Sequence, residues 1–411
     1  VQRRVPPLAS AALRGLLSQP TEFGNGAALV GRSKETLIVR RALPRWLALI
    51  ISGWLALTTP ACTPQGEAAA VDVAADAVVE VDGAADATGM ASDTAPDADA
   101  APEIAPSPDP IIVVTFNTGT AAEIVGGGAG NAGYGPTQAQ WSDEHYGNGL
   151  AYLAFVQAAT EFFAKTPADI VGFQEIFYSG LCPEVPAEAR AGFVCETWSA
   201  GDPTVAQILM GEGWQVACHP GKPDKCLAVR RAFGTLRGCD ADFCLEGLAG
   251  STVDGCGKGA RVARGVVDRV AEPPLTVVNF HGTSGFDAAS NACREAQVEQ
   301  VFVDLGDGAP GANGAENIVL GDLNTDPGRL AGSEPSADRW LDFAGPGQAF
   351  HFVTEVGEDA PATYGGLLTI DHVLSDVFVG DCWTAGVSDG HPPVTEARVF
   401  DHHPTVCRLG K

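Results

Sequence analysis

Five polar residues stand where hydrophobic runs stop. Asn117 follows the run 111–116, Glu175 follows 170–173, and His281 follows 275–280, while Asp322 and Asn324 follow 318–320. Carboxylates suit a hard divalent cation, histidine and carboxylate move protons, and amide side chains hold anionic oxygens. Each residue alone has a plainer reading. Asn117 and Asn324 fit turns, Glu175 a solvated strand end, Asp322 a helix N-cap, and His281 a satisfied core histidine. Five in succession are poorly explained by capping, because polar residues at the strand ends of one sheet edge converge on a single pocket.

Strands and helices alternate from residue 110. Unbroken apolar runs rich in β-branched residues predict buried strands at 111–116, 170–173, 275–280 and 318–320, then at 369–374 and 405–409. A Gly-rich loop fills the stretch to about 147, and Leu150, Leu153, Ala154, Phe155, Ala158 and Phe162 carry helical spacing over 149–164.

The pieces TFNTG (115–119), DIVGFQEIF (169–177), VVNFHG (277–282), VLGDLNTDP (319–327), IDHVLSD (370–376) and FDHHPTV (400–406) occur in one order. In that order they resemble the endonuclease/exonuclease/phosphatase superfamily, the fold of DNase I. The resemblance implies a four-layer α/β sandwich, two packed mixed β-sheets flanked by helices, over 110–411. It also implies metal-dependent hydrolysis of a phosphate ester. Glu175 would be the main ligand of Mg²⁺ (or Mn²⁺ or Ca²⁺), supported by Asn117, with Asp401 a second carboxylate beside it. Asp322 and Asn324 would flank the attacking water. His402 would act on the nucleophile or the transition state, with Asp371 fixing its tautomer, and His281 would donate to a phosphate oxygen or assist the leaving group. Arg261, in GKGARVAR with Lys258 and Arg264, resembles a strand of basic substrate contacts. Tyr364 is the other candidate substrate contact. Gly282 and Phe400 stand where the family usually has a bulky apolar residue and a serine. Ser388-Asp389-Gly390-His391-Pro392 imitates the closing motif with one residue inserted; Asp401-His402 is preferred because the final strand follows at once.

The formal charge of −26 averages three segments: +6 over residues 1–62, −11 over 63–109 and −21 over 110–411. So acidic a surface excludes a general basic trap for polyanions and lowers the odds of DNA as substrate. A mean hydropathy of +0.07 with one long apolar run excludes a polytopic membrane protein. That run, 46–57, follows Arg40, Arg41 and Arg45 and ends at Ala61-Cys62. It reads as a signal h-region before a lipidated Cys62, with ordinary secretion as the alternative. Residues 1–35 precede any n-region and are expected to be an over-extended gene start. Residues 63–109, almost entirely Ala, Asp, Pro, Val and Glu, form an acidic linker that cannot bury enough apolar surface to fold.

Of the 11 cysteines, Cys62 leaves ten in the domain. An even number in an exported domain reads as disulfides, and no CxxC pair supports zinc. Connectivity cannot be deduced from sequence alone; Cys218–Cys226 and Cys239–Cys244 are expected as local pairs and Cys382–Cys407 between two late strands, and the region 182–256, holding seven cysteines, is expected to be a stapled, loop-rich insertion. The substrate is expected to be nucleic acid or a phospholipid headgroup. A lipid substrate calls for an exposed apolar hairpin, for which Trp340, Phe350 and Phe352 are candidates that read equally as core, and Arg329 in the loop after LGDLN leans toward an inositol-phosphate reading. Any membrane contact is expected through the lipid anchor alone, and the protein is expected to be a monomer. A surface-binding lipoprotein on an inactive fold is the non-enzyme alternative; it predicts the loss of a site residue, and all are present.

Overall fold

The computed structural model describes residues 110–120, 133–147, 150–395 and 399–411. The leader, Cys62 and the linker lie outside the described residues. Strand β1 (Ile111–Asn117) leads to helices α1 (Pro136–Trp141) and α2 (Leu153–Lys165), then to β2 (Ile170–Gln174). Helix α2 begins four residues later than its spacing predicts. Helix α3 (Val205–Met210) precedes β3 (Trp214–His219), β4 (Lys222–Arg230), β5 (Gly234–Leu236) and β6 (Phe243–Cys244). Strands β7 (Val262–Arg269) and β8 (Leu275–His281) lead to α4 (Ala288–Phe302) and β9 (Asn317–Asp322). Helix α5 (Pro335–Phe343), β10 (His351–Phe352), β11 (Asp371–Ser375), β12 (Val379–Thr384) and β13 (Thr405–Gly410) complete the chain.

Two sheets result, with strand orders β12-β13-β1-β2-β4-β3-β6 and β10-β11-β9-β8-β7-β5. Each mixes parallel and antiparallel pairs, β1 with β2 and β8 with β9 being parallel. Val113, Ile170, Leu227, Val277, Ile318 and Leu320 pack between the sheets. The outer face of the first sheet buries Phe116 and Phe173 with Phe155, Phe163 and Leu209 of α2 and α3. That of the second buries Phe280 and Val319 with Val298, Val301 and Trp340 of α4 and α5. Helices, sheet, sheet and helices make the expected four-layer α/β sandwich, two packed mixed sheets flanked by helices. Burial on both faces explains why the central strands read as unbroken apolar runs.

One glycine sets the spacing of the sheets. A Cβ on Gly172 would lie 2.0 Å from Leu320 Cδ1, so a side chain there would push the facing Leu320 out of its place between the layers. Beside it, Gln174 Nε2 donates to Asn279 Oδ1 at 2.7 Å, and Asn279 Nδ2 donates to the carbonyls of Phe173 and Cys226, each at 2.9 Å. These buried bonds cross between the sheets and fix their relative placement, since leaving such groups unpaired would cost more than the bonds gain.

Five disulfides join Cys182–Cys195, Cys218–Cys226, Cys239–Cys244, Cys256–Cys293 and Cys382–Cys407. All three expected pairs form. Disulfides of this density belong to an oxidising, extracellular-type environment. The region 182–256 is less of an insertion than its cysteines suggested. Strands β3 and β4 are integral to the first sheet, β4 pairing with β2. The loop-rich parts are the 3₁₀ turns that include Ser179–Glu184 and the stretches around β6. Cys256–Cys293 closes the longest loop, 37 residues, and chain entropy assigns such a link about 4 kcal/mol. Mass mapping under non-reducing conditions is expected to find these five links. Several free thiols among the ten would contradict them.

Trp340 is fully buried, and Phe350 and Phe352 pack in the same cluster; they are core, not a lipid-facing hairpin. Arg329 is likewise structural, donating to Asp326, Thr369 and the carbonyls of Glu358 and Ala360. Among the described residues no helix is long and apolar enough to cross a membrane.

Candidate active site

The sheet topology brings the strand-end residues together. Parallel pairing puts Asn117 beside Gln174 at the ends of β1 and β2, and His281 beside Asp322 at the ends of β8 and β9. Strand β11 runs antiparallel to β9, so its first residue, Asp371, faces Asp322 across the ladder. Strand β13 runs antiparallel to β1, with Thr405 opposite Thr115, and the segment just before it carries Asp401 and His402 to the same edge.

Asp322 lies at the centre. It accepts Asn117 Nδ2 at 2.9 Å, the Asn324 backbone N–H at 2.7 Å and Asn324 Nδ2 at 2.9 Å. Burial pushes its carboxyl up to about 7, the His402 charge pulling the other way. His402 donates through Nδ1 to Asp371 Oδ2 at 2.8 Å and points Nε2 at Asp322 Oδ2, 3.8 Å away. Burial opposes charge on this ring, but Asp371 and then Asp322 outweigh it and lift it to about 10. The ring is an imidazolium at neutral pH, and Tyr364 lies against it with ring centroids 4.8 Å apart.

A second cluster adjoins the first. Asp401 Oδ1 and Glu175 Oε2 are each 2.9 Å from where a Cβ on Gly119 would lie, and Asn117 Oδ1 is 3.2 Å from it. The two carboxylate oxygens are therefore at most twice that first distance apart. Asp401 Oδ1 is buried with no hydrogen-bond partner. Burial raises both carboxyls and the His402 charge opposes the rise; Asp401 adds to it at Glu175, and Asp371 adds to it at Asp401. Two carboxylates and an amide oxygen, one of them orphaned, are the donor set a hard divalent cation takes, so the residues fit the implied metal. Asp322, Asp371 and His402 also lie close enough to share an ion, but there the imidazolium already supplies the positive charge. Gly119→Ala is expected to lower Mg²⁺ or Mn²⁺ affinity about tenfold or more, the scale of a disturbed metal surround. Isothermal titration with unchanged circular dichroism would check it; unchanged affinity would remove the cluster as the metal site.

His281 Nε2 faces Glu175 Oε1 at 3.4 Å and Asp322 Oδ2 at 3.7 Å, while its buried Nδ1 has no partner. Burial, then Lys225, Arg261 and Lys222, hold its pKa well below the usual histidine value, so the ring is neutral. Arg261 Nη1 reaches the Gly282 carbonyl at 3.5 Å, which places it at the site. Arg264 instead pairs with Asp307, and Lys258 is exposed. At Gly282, where the sequence resemblance led one to expect a bulky apolar residue, a Cβ would lie 2.4 Å from the Leu323 carbonyl oxygen. Phe400 anchors the closing segment, its ring 5.2 Å from that of Phe116. His391 stacks on Trp383, and His372 bonds Thr354 and the Thr369 carbonyl, so neither joins the site.

Two features escaped the sequence reading. Lys225 is fully buried in β4 and donates to the Ala260 carbonyl at 3.1 Å beside His281; a lone lysine heading the run Cys226–Val229 was the available signal. Glu175 and Asn324 hold left-handed backbone, φ 58° and 51°. Such strain at non-glycine residues clusters at functional sites, and residue type did not reveal it.

No protein-family model matches the chain, and no curated protein matches it. Among solved structures it is similar to the 3′ phosphatase NExo from Neisseria bound to a product DNA hairpin. That match has 14% identity and a TM-score of 0.42, over 73% of this chain and 100% of the other. An endonuclease/exonuclease/phosphatase family protein from Leptotrichia buccalis matches at 10% identity and a TM-score of 0.42, over 73% and 100%. The catalytic domain of APE2 from Xenopus laevis matches at 14% and 0.40, over 73% and 92%.

Proposed function

We propose that residues 110–411 form an exported, divalent-metal-dependent phosphodiesterase, nuclease-like in its substrate. The observation that carries this reading is the His402–Asp371 pair facing Asp322 beside the Glu175–Asp401 carboxylates, all at one edge of the sandwich.

Glu175, Asp401 and Asn117 would hold Mg²⁺ (or Mn²⁺ or Ca²⁺), which offsets negative charge on the phosphate oxygens. The chain's own groups do the rest. Asp322, its carboxyl near 7, takes the proton of the attacking water. Asn117 and Asn324 hold that carboxylate in place through three hydrogen bonds. The His402 imidazolium donates to a phosphate oxygen as charge grows there, and Asp371 keeps its Nε2–H aimed inward. Neutral His281 donates to a second oxygen or to the departing alkoxide. Arg261, with no carboxylate partner among the described residues, supplies positive charge for the flanking substrate.

A second reading, hydrolysis of a phospholipid headgroup ester, gains from one observation. Leu367 is 76% exposed at the tip of the Tyr364–Leu368 turn, whose Gly365 N–H donates to the Asp401 carbonyl. An acidic domain also suits a neutral lipid better than DNA. We further propose that Cys62 carries the lipid that tethers this monomeric domain to a membrane.

The test is an assay of purified protein on bis-p-nitrophenyl phosphate, plasmid DNA and sphingomyelin, with Mg²⁺, Mn²⁺ or EDTA. Turnover of the model diester abolished by EDTA is expected, with DNA the preferred natural substrate. No metal-dependent turnover on any of the three would sink the enzyme reading; sphingomyelin alone would replace the first substrate with the second.

A further inference from the structure

Asp371, which holds His402, also lines a small pocket of about 30 Å³. Asp371, Thr405, Thr354, Thr363, Thr369 and Thr384 are among the residues that line it. Most of the hydroxyls around it are committed. Thr354 Oγ1 bonds His372 Nδ1 at 2.8 Å, Thr363 Oγ1 accepts the backbone N–H groups of Ile370 and Asp371 at 3.0 Å, and Thr369 Oγ1 donates to the Pro361 carbonyl at 2.8 Å. Two polar atoms of the lining are different. Asp371 Oδ1 and Thr405 Oγ1 are both buried, and neither has a hydrogen-bond partner.

Two orphaned oxygens of this kind in one small polar pocket need a shared partner. A buried carboxylate oxygen left unbonded is costly, and a buried hydroxyl left unbonded is costly too. The space is enough for an ordered water, which needs about 10–15 Å³ on this measure, and such a water needs two to four polar contacts. An anion would be repelled by Asp371, and a side chain of this domain does not fill the space. We propose that the pocket holds an ordered bridging water, to which the Thr405 hydroxyl donates and which donates to Asp371 Oδ1.

The site has a consequence for the reaction, and to that extent it rests on the phosphodiesterase reading. Asp371 holds His402 through Oδ2 alone. The water fixes the other oxygen, so the carboxylate cannot swing about its side-chain bond and release the ring. Thr405 is thus a positioning residue: it touches neither substrate nor metal, and acts through water, Asp371 and His402 in turn. Its place at the first residue of β13, register partner of both Thr115 and Thr384, makes that position rigid.

A crystal structure at a resolution that shows ordered solvent, together with kinetics of two variants, tests this. Density for one water within hydrogen-bond distance of both Asp371 Oδ1 and Thr405 Oγ1 is expected in the wild type and is lost in Thr405→Val. That variant keeps the side-chain shape and is expected to lower kcat about tenfold with KM unchanged, the low end of the effect of outer-shell partners. Thr405→Ser, which restores the hydroxyl, is expected to recover most of the rate. No water in the wild-type pocket, or a Thr405→Val enzyme as fast as wild type, overturns the proposal. The wild-type density decides the water site even if the valine variant fails to fold. A wild-type protein that hydrolyses no phosphodiester would refute the functional reading instead, leaving the water site to stand or fall on the density.

Discussion

His402→Ala is expected to lower kcat on bis-p-nitrophenyl phosphate by about 10³-fold, within the range that positioned proton donors and acceptors contribute. The expectation follows from what the ring touches. Its Nδ1–H is held by Asp371 at 2.8 Å, and its Nε2 faces Asp322 at 3.8 Å. Loss of the ring removes the one cation between two buried carboxylates, so phosphate charge would develop beside uncompensated negative charge. KM should change little, because the ring's contribution grows as charge moves in the transition state. The variant also strands Asp371, which is fully buried, so the melting temperature must be measured alongside the rate. A folded variant with a rate within a few-fold of wild type would show that His402 is not in the chemistry. His391→Ala provides the internal comparison. That ring stacks on Trp383, and its loss should leave the rate unchanged.

Glu175→Gln is expected to have opposite effects on activity and on metal-free stability. The carboxylate of Glu175 faces Asp401 across the Gly119 cradle, where a Cβ would touch both. Burial raises the Glu175 carboxyl first, and the Asp401 charge adds to the rise. A group whose folded pKa is raised destabilises the fold once pH exceeds its unfolded value. In EDTA at pH 8 the glutamine variant should therefore melt higher than wild type by a few degrees, on the scale of about 2–4 °C per kcal/mol for a domain of roughly 150–250 residues. In Mg²⁺ or Mn²⁺ the order should reverse, because a metal bound only by the folded state stabilises the wild type. Turnover should fall by about 10²-fold or more, as for loss of a principal metal contact. Equal melting of the two proteins in EDTA, or undiminished turnover, would move the metal away from Glu175.

Much of this site was legible before any fold was known. Asn117, Glu175, His281, Asp322 and Asn324 announced themselves by ending apolar runs, and Asp401-His402 by preceding the last one. Parallel and antiparallel pairing then placed every one of them at the same sheet edge, as the alternation of strands and helices required. The disulfide partners with short separations were equally legible, because a link across five or eight residues leaves few alternatives. Cys382–Cys407 was legible from its two late strands, whereas Cys182–Cys195 and Cys256–Cys293 lie in stretches whose pairing the sequence spacing does not choose.

Other readings failed for one physical reason, that residue type does not state burial. Trp340 and Arg329 had the chemistry of a membrane contact and a phosphate contact, yet packing and four backbone or side-chain acceptors consumed them. Lys225 had the chemistry of a surface lysine and is fully buried beside His281. Local sequence determined which residue types stand at the ends of the strands, because apolar runs and the points where they stop are local properties. Tertiary structure alone decided which of them face one another, which oxygens are left without partners, and where a metal and a water fit. Those depend on the distance between two sheets, and that distance is set by contacts such as Gly172 against Leu320, more than a hundred residues apart in the chain.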